Sequence, residues 1–327
     1  MGRFVLAFAA ALVVLVICNA FNRTAPIMEP VDNLASRYDG RSVERVEFVA
    51  FDELAPLTRE LNYTPETWLA GQIDVPRLVL LRVPERFGEV TVNEITVERK
   101  KRMFFRMVLP LVLIANEEVA SERAEFLSLR DRIRESRIPH ADDLKELHRF
   151  AQRYGVPVGG DVISVTKILN ALERRIDIVP PSLALAQAAT ESAWGTSRFA
   201  IEGNALFGQW TFGRKGMVPE EQRAEKGDHK VAAFRTPLNS VRSYLKNLNT
   251  HRAYSEFRET RAALRRQGAN PSGKTLAVAL SRYSERGAEY VKEILEIIGA
   301  NGLSILDRSK LLEGTVYELL PVWRGES

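Results

Sequence analysis

Apolar residues recur at helical spacing through most of the second half of the chain, and this pattern predicts a mainly helical region. A longer helix is predicted over residues 102–137, where Pro110 is expected to introduce a kink. Five shorter apolar stripes follow: Leu144, Leu147, Phe150, Ala151 and Tyr154; Val162, Val165, Leu169 and Leu172; Leu238, Val241, Leu245 and Leu248; Leu276, Ala279, Leu280 and Tyr283; Tyr290, Ile294, Ile297 and Ile298.

The first hundred residues show a different pattern, in which short alternating segments predict strands. Residues 43–49 and 91–97 alternate in this way, and a helical patch lies near 65–71. We therefore expect a small α/β accessory region over residues 22–100, with a polar linker at its start. Within the helical half, the residues around 212–216 and 230–235 predict a β-hairpin.

The N-terminus has the pattern of an export signal. Arg3 is followed by an uncharged run from Phe4 to Ile17, which is 14 residues long. This length suits a signal-peptide core and is shorter than a comfortable membrane span. Residues 1–21 are thus predicted to be a signal peptide or membrane anchor, with cleavage after Ala20, lipidation at Cys18 and retention as an anchor all open. The predicted location is the periplasm or cell envelope, with contact to the membrane through this segment.

Composition excludes several classes of protein. The chain has 327 residues, 45% of them hydrophobic and 27% charged, with a net charge of +4. This balance is typical of a globular protein and does not predict nucleic-acid binding. One cysteine and four separated histidines give no disulfide and no zinc motif, so neither a metal nor a cofactor is predicted. Residues 268–275 match a phosphate-binding loop, but a charged helical pattern precedes them where a buried strand is required, so no nucleotide is expected.

Glu191 is the strongest candidate for a catalytic residue. Pro180 and Pro181 favour the start of a helix, and Gly195 favours its end, which places Glu191 in the last turn. The negative end of the helix dipole and the neighbouring Trp194 would both raise the pKa of this carboxyl. A glutamate that stays protonated near neutral pH can donate a proton to a glycosidic oxygen. The alternative is a solvated residue at the end of a helix.

The segment that follows this helix contains residues suited to binding a sugar. Aromatic rings stack on sugar faces, and amide side chains bond hydroxyl and acetamido groups. With Glu191 these residues predict a substrate cleft. The candidates are Asn204, Phe207, Gly208, Gln209 and Trp210.

These motifs resemble a known family of enzymes. AQAATESAWG followed by NALFGQW is similar to the glucosaminidase domain of bacterial peptidoglycan hydrolases. Further similarity lies in KVAAFR at 230–235 and in Tyr283-Ser284 with Tyr290, while NLNTHRAYSEFR at 247–258 resembles the Bax-like branch of that family. The resemblance covers about residues 100–300.

The resemblance implies both a fold and a set of site residues. It implies a mainly α (α+β) fold, in which a lysozyme-like helical domain with a small β-hairpin lobe occupies residues 101–305 and a tail follows at 306–327. Glu191 matches the catalytic acid, and Tyr283 matches a tyrosine that positions substrate or water. Glu221 is the best match for a second carboxylate on the hairpin, with Glu220 and Glu225 as alternatives. Substrate contacts are expected from Trp194, Asn204, Phe207, Gly208, Gln209, Trp210 and Tyr290.

The implied activity is that of an endo-β-N-acetylglucosaminidase, a glycoside hydrolase that acts on peptidoglycan glycan strands. A retaining, an inverting and a substrate-assisted route all remain open, since the separation of the carboxyl groups determines the first two. A muramidase or lytic transglycosylase on the same fold is the nearest alternative. A glycan-binding envelope protein without turnover is the alternative from another class.

Overall fold

The structure is a computed structural model that describes residues 38, 40–71, 74–84, 96–136, 139–158, 165–211, 216–217 and 230–322. Helices dominate these residues, so the predicted mainly α (α+β) class is confirmed. The N-terminal segment 1–21 lies outside the described residues. Among the helices that the structure describes, none combines the length and apolarity required to cross a lipid bilayer.

A three-stranded parallel sheet is built from both ends of the chain. β1 (Val43–Phe48) and β2 (Asp74–Leu80) each pair with β6 (Lys310–Pro321), which occupies the centre. The register aligns Val46 with Leu319 and Leu80 with the same residue. Short helices α1 (Ala55–Glu60) and α2 (Pro65–Leu69) join the first two strands. The C-terminal segment, expected to be a tail, is therefore a central strand, because its apolar residues complete the core of the sheet.

A long helix, α3 (Val97–Glu135), runs from this sheet into the rest of the molecule. Its residues 104–116 are buried on all sides, which explains why this stretch is apolar without being a membrane span. Arg106 lies within it, and its guanidinium donates to the carbonyl oxygen of Tyr63. Of the strand predicted at 91–97, residues 91–95 lie outside the described residues, and Val97 is the first residue of α3.

Two hydrophobic clusters organise the helices. The C-terminal half of α3 packs with α4 (Ala141–Arg153) and α5 (Val165–Arg175) in the smaller cluster. The larger cluster joins the parallel sheet and the first half of α3 to the remaining helices. These helices are α6 (Pro181–Glu191), α7 (Arg198–Gly203), α8 (Pro237–Thr250), α9 (Ser255–Arg266), α10 (Gly273–Ala277) and α11 (Ala288–Ala300).

Helix α6 forms the centre of the larger cluster. Every residue from Pro181 to Ala189 is buried, and the many alanines allow neighbouring helices to approach closely. Asp307 satisfies its N-terminus, since the carboxylate accepts from the backbone N–H of Ser182 at 2.9 Å. The helix N-terminus favours this negative charge. A buried helix therefore fixes the position and the direction of its last residue, Glu191.

The predicted hairpin belongs to a small antiparallel sheet of three strands. β5 (Lys230–Ala232) is its centre, with β3 (Trp210–Thr211) on one side and β4 (Gly216–Met217) on the other. The backbone N–H of Ala232 also donates to the carbonyl oxygen of Gln209 at 2.7 Å. This sheet therefore fixes the end of the segment that leads from Asn204 to Trp210.

Candidate active site

Glu191 lies at the end of α6, as predicted, and the residue as a whole is half-buried. The helix ends here because the chain enters a tight turn in which Ala193, Trp194 and Gly195 all have positive φ angles of 49°, 62° and 78°. Ser192 closes this turn, since its hydroxyl donates to the carbonyl oxygen of Ala188 at 2.6 Å and accepts from the N–H of Gly195 at 2.8 Å. Gly195 was expected to end the helix, but the buried Ser192 does so three residues earlier.

Two residues from other segments lie against the carboxyl group of Glu191. The hydroxyl of Tyr290 donates a hydrogen bond of 3.0 Å to Oε1. On the other side lies Gly208, where an added Cβ atom would sit 3.6 Å from Oε2. The glycine has a φ of 54°, a conformation that L side chains rarely adopt. Glycine at this position therefore leaves open space beside the second carboxyl oxygen.

The carboxyl group belongs to a buried chain of hydrogen bonds. Tyr244 donates to Oε1 of Gln187 at 2.5 Å, and Nε2 of Gln187 donates to the hydroxyl of Tyr290 at 2.9 Å. Gln187 precedes Glu191 by four residues, so both side chains lie on one face of α6. Each hydroxyl hydrogen in this chain has a defined acceptor, which orients the Tyr290 hydroxyl towards Glu191.

Burial determines the protonation state of Glu191. Loss of solvation raises its pKa to about 8. The hydrogen bond from Tyr290 acts in the opposite direction and lowers the pKa, but its effect is smaller. Glu293 raises the pKa further and Arg286 lowers it, but these two charges form an ion pair with each other. Glu191 is therefore largely protonated at neutral pH while still partly accessible, as a general acid must be.

Trp194 lies in the turn after α6, and not on the helix as the sequence had suggested. It follows the end of the helix, so it no longer shares a face with Glu191. Its ring packs edge-on against Phe104 and Phe105 at centroid distances of 6.0 Å and 5.2 Å, and Lys101 lies over it. The ring of Trp194 thus joins the turn after α6 to the start of α3.

Two of the predicted substrate contacts are committed to the protein interior. Phe207 is buried and stacks on Tyr244 with ring centroids 3.9 Å apart. The amide of Asn204 is also used internally: Oδ1 accepts from the N–H of Val83 at 3.0 Å, and Nδ2 donates to the carbonyl oxygens of Phe234 and Arg235. Both side chains therefore hold neighbouring segments of the chain together.

Of the remaining predicted residues, the structure describes the side chains of Gln209 and Tyr283 but not those of the others. Gln209 follows Gly208, and its Oε1 atom is buried without a hydrogen-bond partner among the described residues. Tyr283 is buried and stacks on the ring of Tyr290 at 5.4 Å. The backbone of Trp210 lies in β3, but its side chain is outside the described residues, as are Glu220, Glu221 and Glu225.

Sequence reasoning missed Gln187 and Tyr244, which complete the hydrogen-bond chain. The signal for Gln187 was present, since it is a large polar residue in an otherwise small and apolar helix, four positions before Glu191. Tyr244 gave no such signal, because a buried core residue of α8 would occupy the same kind of position.

Within the described residues, no group of three His, Cys, Asp or Glu side chains is placed to hold a metal ion.

The segment that matched a phosphate-binding loop has a structural role. Gly268 follows α9, so a helix and not a strand precedes the loop. Gly273 begins α10 and packs against the start of α6, where an added Cβ atom would lie 2.0 Å from Ser182 Oγ. Its N–H donates to Asp307 Oδ2 at 2.9 Å, which is the same carboxylate that caps α6. The glycine is required by close packing of two helices.

Comparison with known proteins gives two matches. Residues 166–303 match the Glucosaminidase family, described as mannosyl-glycoprotein endo-beta-N-acetylglucosaminidase. The chain is 34% identical over 191 residues to the protein named Protein bax from Escherichia coli (strain K12). This alignment covers 58% of the chain and 66% of the relative, slightly less than two thirds of its length. No solved structure matches the chain.

Proposed function

Because residues 166–303 form a domain of the glucosaminidase family, in a chain similar to Protein bax, we propose that this protein is a peptidoglycan hydrolase. It cleaves the glycan strand at N-acetylglucosamine, as an endo-β-N-acetylglucosaminidase, and acts in the cell envelope. The name of the family refers to the same sugar. The observation that carries this proposal is the carboxyl group of Glu191, which lies beside Gly208 and whose pKa is raised by burial to about 8.

Glu191 acts as the general acid in this proposal. Its proton passes to the glycosidic oxygen while the bond from that oxygen to the anomeric carbon breaks. The hydrogen bond from Tyr290 holds one carboxyl oxygen, so the proton is on the oxygen that faces the open side next to Gly208. Gln209 follows Gly208, and its Oε1 atom is buried without a partner among the described residues, so in this proposal the side chain turns outward to accept from a hydroxyl or acetamido N–H of the sugar.

The incoming water requires a second group. We propose Glu221 for this role, with Glu220 and Glu225 as neighbouring candidates, and Tyr283 as a residue that positions substrate or water. The alternative is attack by the acetamido oxygen of the substrate, which would need no second carboxylate. Replacing each of the three glutamates singly by glutamine distinguishes these routes, because loss of turnover in one variant identifies the second acid.

The test of the proposal compares Glu191→Gln with the wild type on purified peptidoglycan. We expect turnover to fall by roughly a hundredfold or more, in line with the contribution of general acid catalysis. Mass spectrometry of the released fragments should show N-acetylglucosamine at the new reducing ends. Glu289→Gln is the matched control, because Glu289 is exposed on α11 next to Tyr290 and undergoes the same chemical change.

Three results would contradict the assignment. Near-normal activity of Glu191→Gln would exclude this residue as the acid. New reducing ends of N-acetylmuramic acid or anhydro sugars would indicate a muramidase or a lytic transglycosylase. Equal and negligible release by the wild type and Glu191→Gln, with glycan binding retained by both, would indicate a binding protein without turnover.

A further inference from the structure

A polar cavity is formed by two regions of the chain. It has a volume of about 430 Å³ and is lined by Arg82, Ile201, Glu202, Asn204 and Arg235. Arg82 follows β2 in the N-terminal region, whereas the other residues belong to the glucosaminidase-family domain. The accessory region thus contributes a charged side chain to a surface of the family domain.

The cavity carries a net positive charge. Among the described residues, neither Arg82 nor Arg235 has a carboxylate partner, and both side chains are exposed. Glu202, the acid among the lining residues, is paired with Arg198 at 3.4 Å, one helical turn earlier. The two arginine side chains therefore remain available to an anionic group from outside.

Asn204 fixes the backbone positions of both arginines. Its carboxamide bonds the N–H of Val83, directly after Arg82, and the carbonyl oxygen of Arg235 itself at 3.3 Å. Asn204 is buried and adopts a left-handed conformation with a φ of 51°. One buried side chain therefore brings the two arginine-bearing segments to the same cavity.

A short segment of the chain connects the cavity to the neighbourhood of Glu191. Asn204 lines the cavity, and Gly208, four residues later, lies next to Glu191 Oε2. Four residues span at most about 14 Å when fully extended. This upper limit is about the length of an extended tetrapeptide, so a short peptide is long enough to link the two places.

We propose that this cavity binds a carboxylate of the acidic peptide that the glycan carries, and this inference rests on peptidoglycan being the substrate. Guanidinium groups bind carboxylates through two parallel hydrogen bonds, and two such groups on separate segments suit one or two carboxylates of a short peptide. Ile201 supplies an apolar wall for its aliphatic part. The subsite makes the enzyme favour peptide-bearing over bare glycan.

The kinetic test uses the double variant Arg82→Gln/Arg235→Gln on two substrates, peptide-bearing glycan and the same glycan after the peptides have been removed by an amidase. The ratio of kcat/KM on the first substrate to that on the second is measured. We expect this ratio to fall by about threefold to tenfold, since exposed ion pairs are individually weak. The charge-matched control Arg149→Gln/Arg266→Gln, at exposed positions on α4 and α9, should keep the wild-type ratio. A wild-type ratio in the Arg82/Arg235 variant would overturn the inference.

A binding measurement separates failure of the subsite from failure of the proposed activity. Calorimetry with the Glu191→Gln protein compares a soluble acidic tetrapeptide of peptidoglycan with its fully amidated counterpart. We expect the acidic peptide to bind more tightly, less so at high salt, and to lose this advantage when Arg82 and Arg235 are both replaced. Equal binding of the two peptides would overturn the subsite. Absence of cleavage of both glycans by the wild type would instead refute the proposed activity.

Discussion

At the scale of single residues, the pKa of Glu191 results mainly from two opposing effects. Burial at the end of α6 raises the pKa to about 8, and the hydrogen bond from the hydroxyl of Tyr290 lowers it. Because the proposed proton donor must be protonated to act, kcat/KM should fall as the pH rises through this pKa. The position of this alkaline limb is therefore a direct readout of the environment of Glu191.

Tyr290→Phe is expected to move the alkaline limb to higher pH. The variant removes a hydrogen bond to the charged form of Glu191, so the carboxyl group keeps its proton to a higher pH. It also leaves Nε2 of Gln187 without its acceptor, which should cost about 1–3 kcal/mol of stability. The measurement is the pH dependence of kcat/KM together with urea unfolding.

Tyr283→Phe is the matched control, since it removes the hydroxyl of the ring stacked on Tyr290. We expect its alkaline limb to stay near pH 8 even where the rate falls, because the hydroxyl of Tyr290 remains in place. A limb that moves equally in both variants, or moves to lower pH in Tyr290→Phe, would show that this hydrogen bond does not control the protonation of Glu191.

At the scale of elements, the position of Glu191 depends on how closely α10 packs on the N-terminus of α6. Gly273→Ala would place a Cβ atom 2.0 Å from Ser182 Oγ and 2.7 Å from the backbone nitrogen of Leu183. A side chain can rotate away, but the backbone of a buried helix cannot. We expect a loss of about 1–3 kcal/mol in the free energy of unfolding, measured with denaturant.

Gly299→Ala provides the comparison for this substitution. Gly299 lies in α11, and an added Cβ atom there meets no heavy atom within 4 Å. Alanine at this position should leave stability unchanged or raise it by up to about 1 kcal/mol, through the higher helix propensity of alanine. Equal effects of the two substitutions would mean that close packing is not the reason for glycine at 273.

The local elements could be predicted from sequence, whereas their partners could not. Proline at the start and an apolar run place α6 and its last residue, Glu191, because helix formation depends on neighbouring residues. The conformation after Glu191 was missed, since the buried hydroxyl of Ser192 ends the helix before Gly195. Asn204 was predicted to contact substrate because its three hydrogen-bond partners in the protein are distant in sequence and could not be foreseen.

At the scale of the whole molecule, the two ends of the described chain meet in one sheet. β6 lies between β1 and β2, and each pairing is parallel, so the sheet forms only when residues from 43 to 321 come together. Such long-range pairing leaves no local sequence signal, which is why residues 306–327 resembled a tail. The sheet shares one hydrophobic cluster with α6 and with the helices around Glu191.

Leu319→Ala tests whether this shared core makes the sheet and the helical domain unfold as one unit. Leu319 lies on the central strand and is 1% exposed, opposite Val46 on one neighbour and Leu80 on the other. Removing its side chain should cost about 2–4 kcal/mol. Because the core is continuous, far-UV circular dichroism and tryptophan fluorescence should report the same transition, shifted to lower denaturant.

Leu312→Ala is the control, because Leu312 lies on the same strand but is 39% exposed, and this substitution should change the stability little. Two separate transitions, with Leu319→Ala shifting one of them, would instead show that the sheet unfolds independently of the helices that carry Glu191.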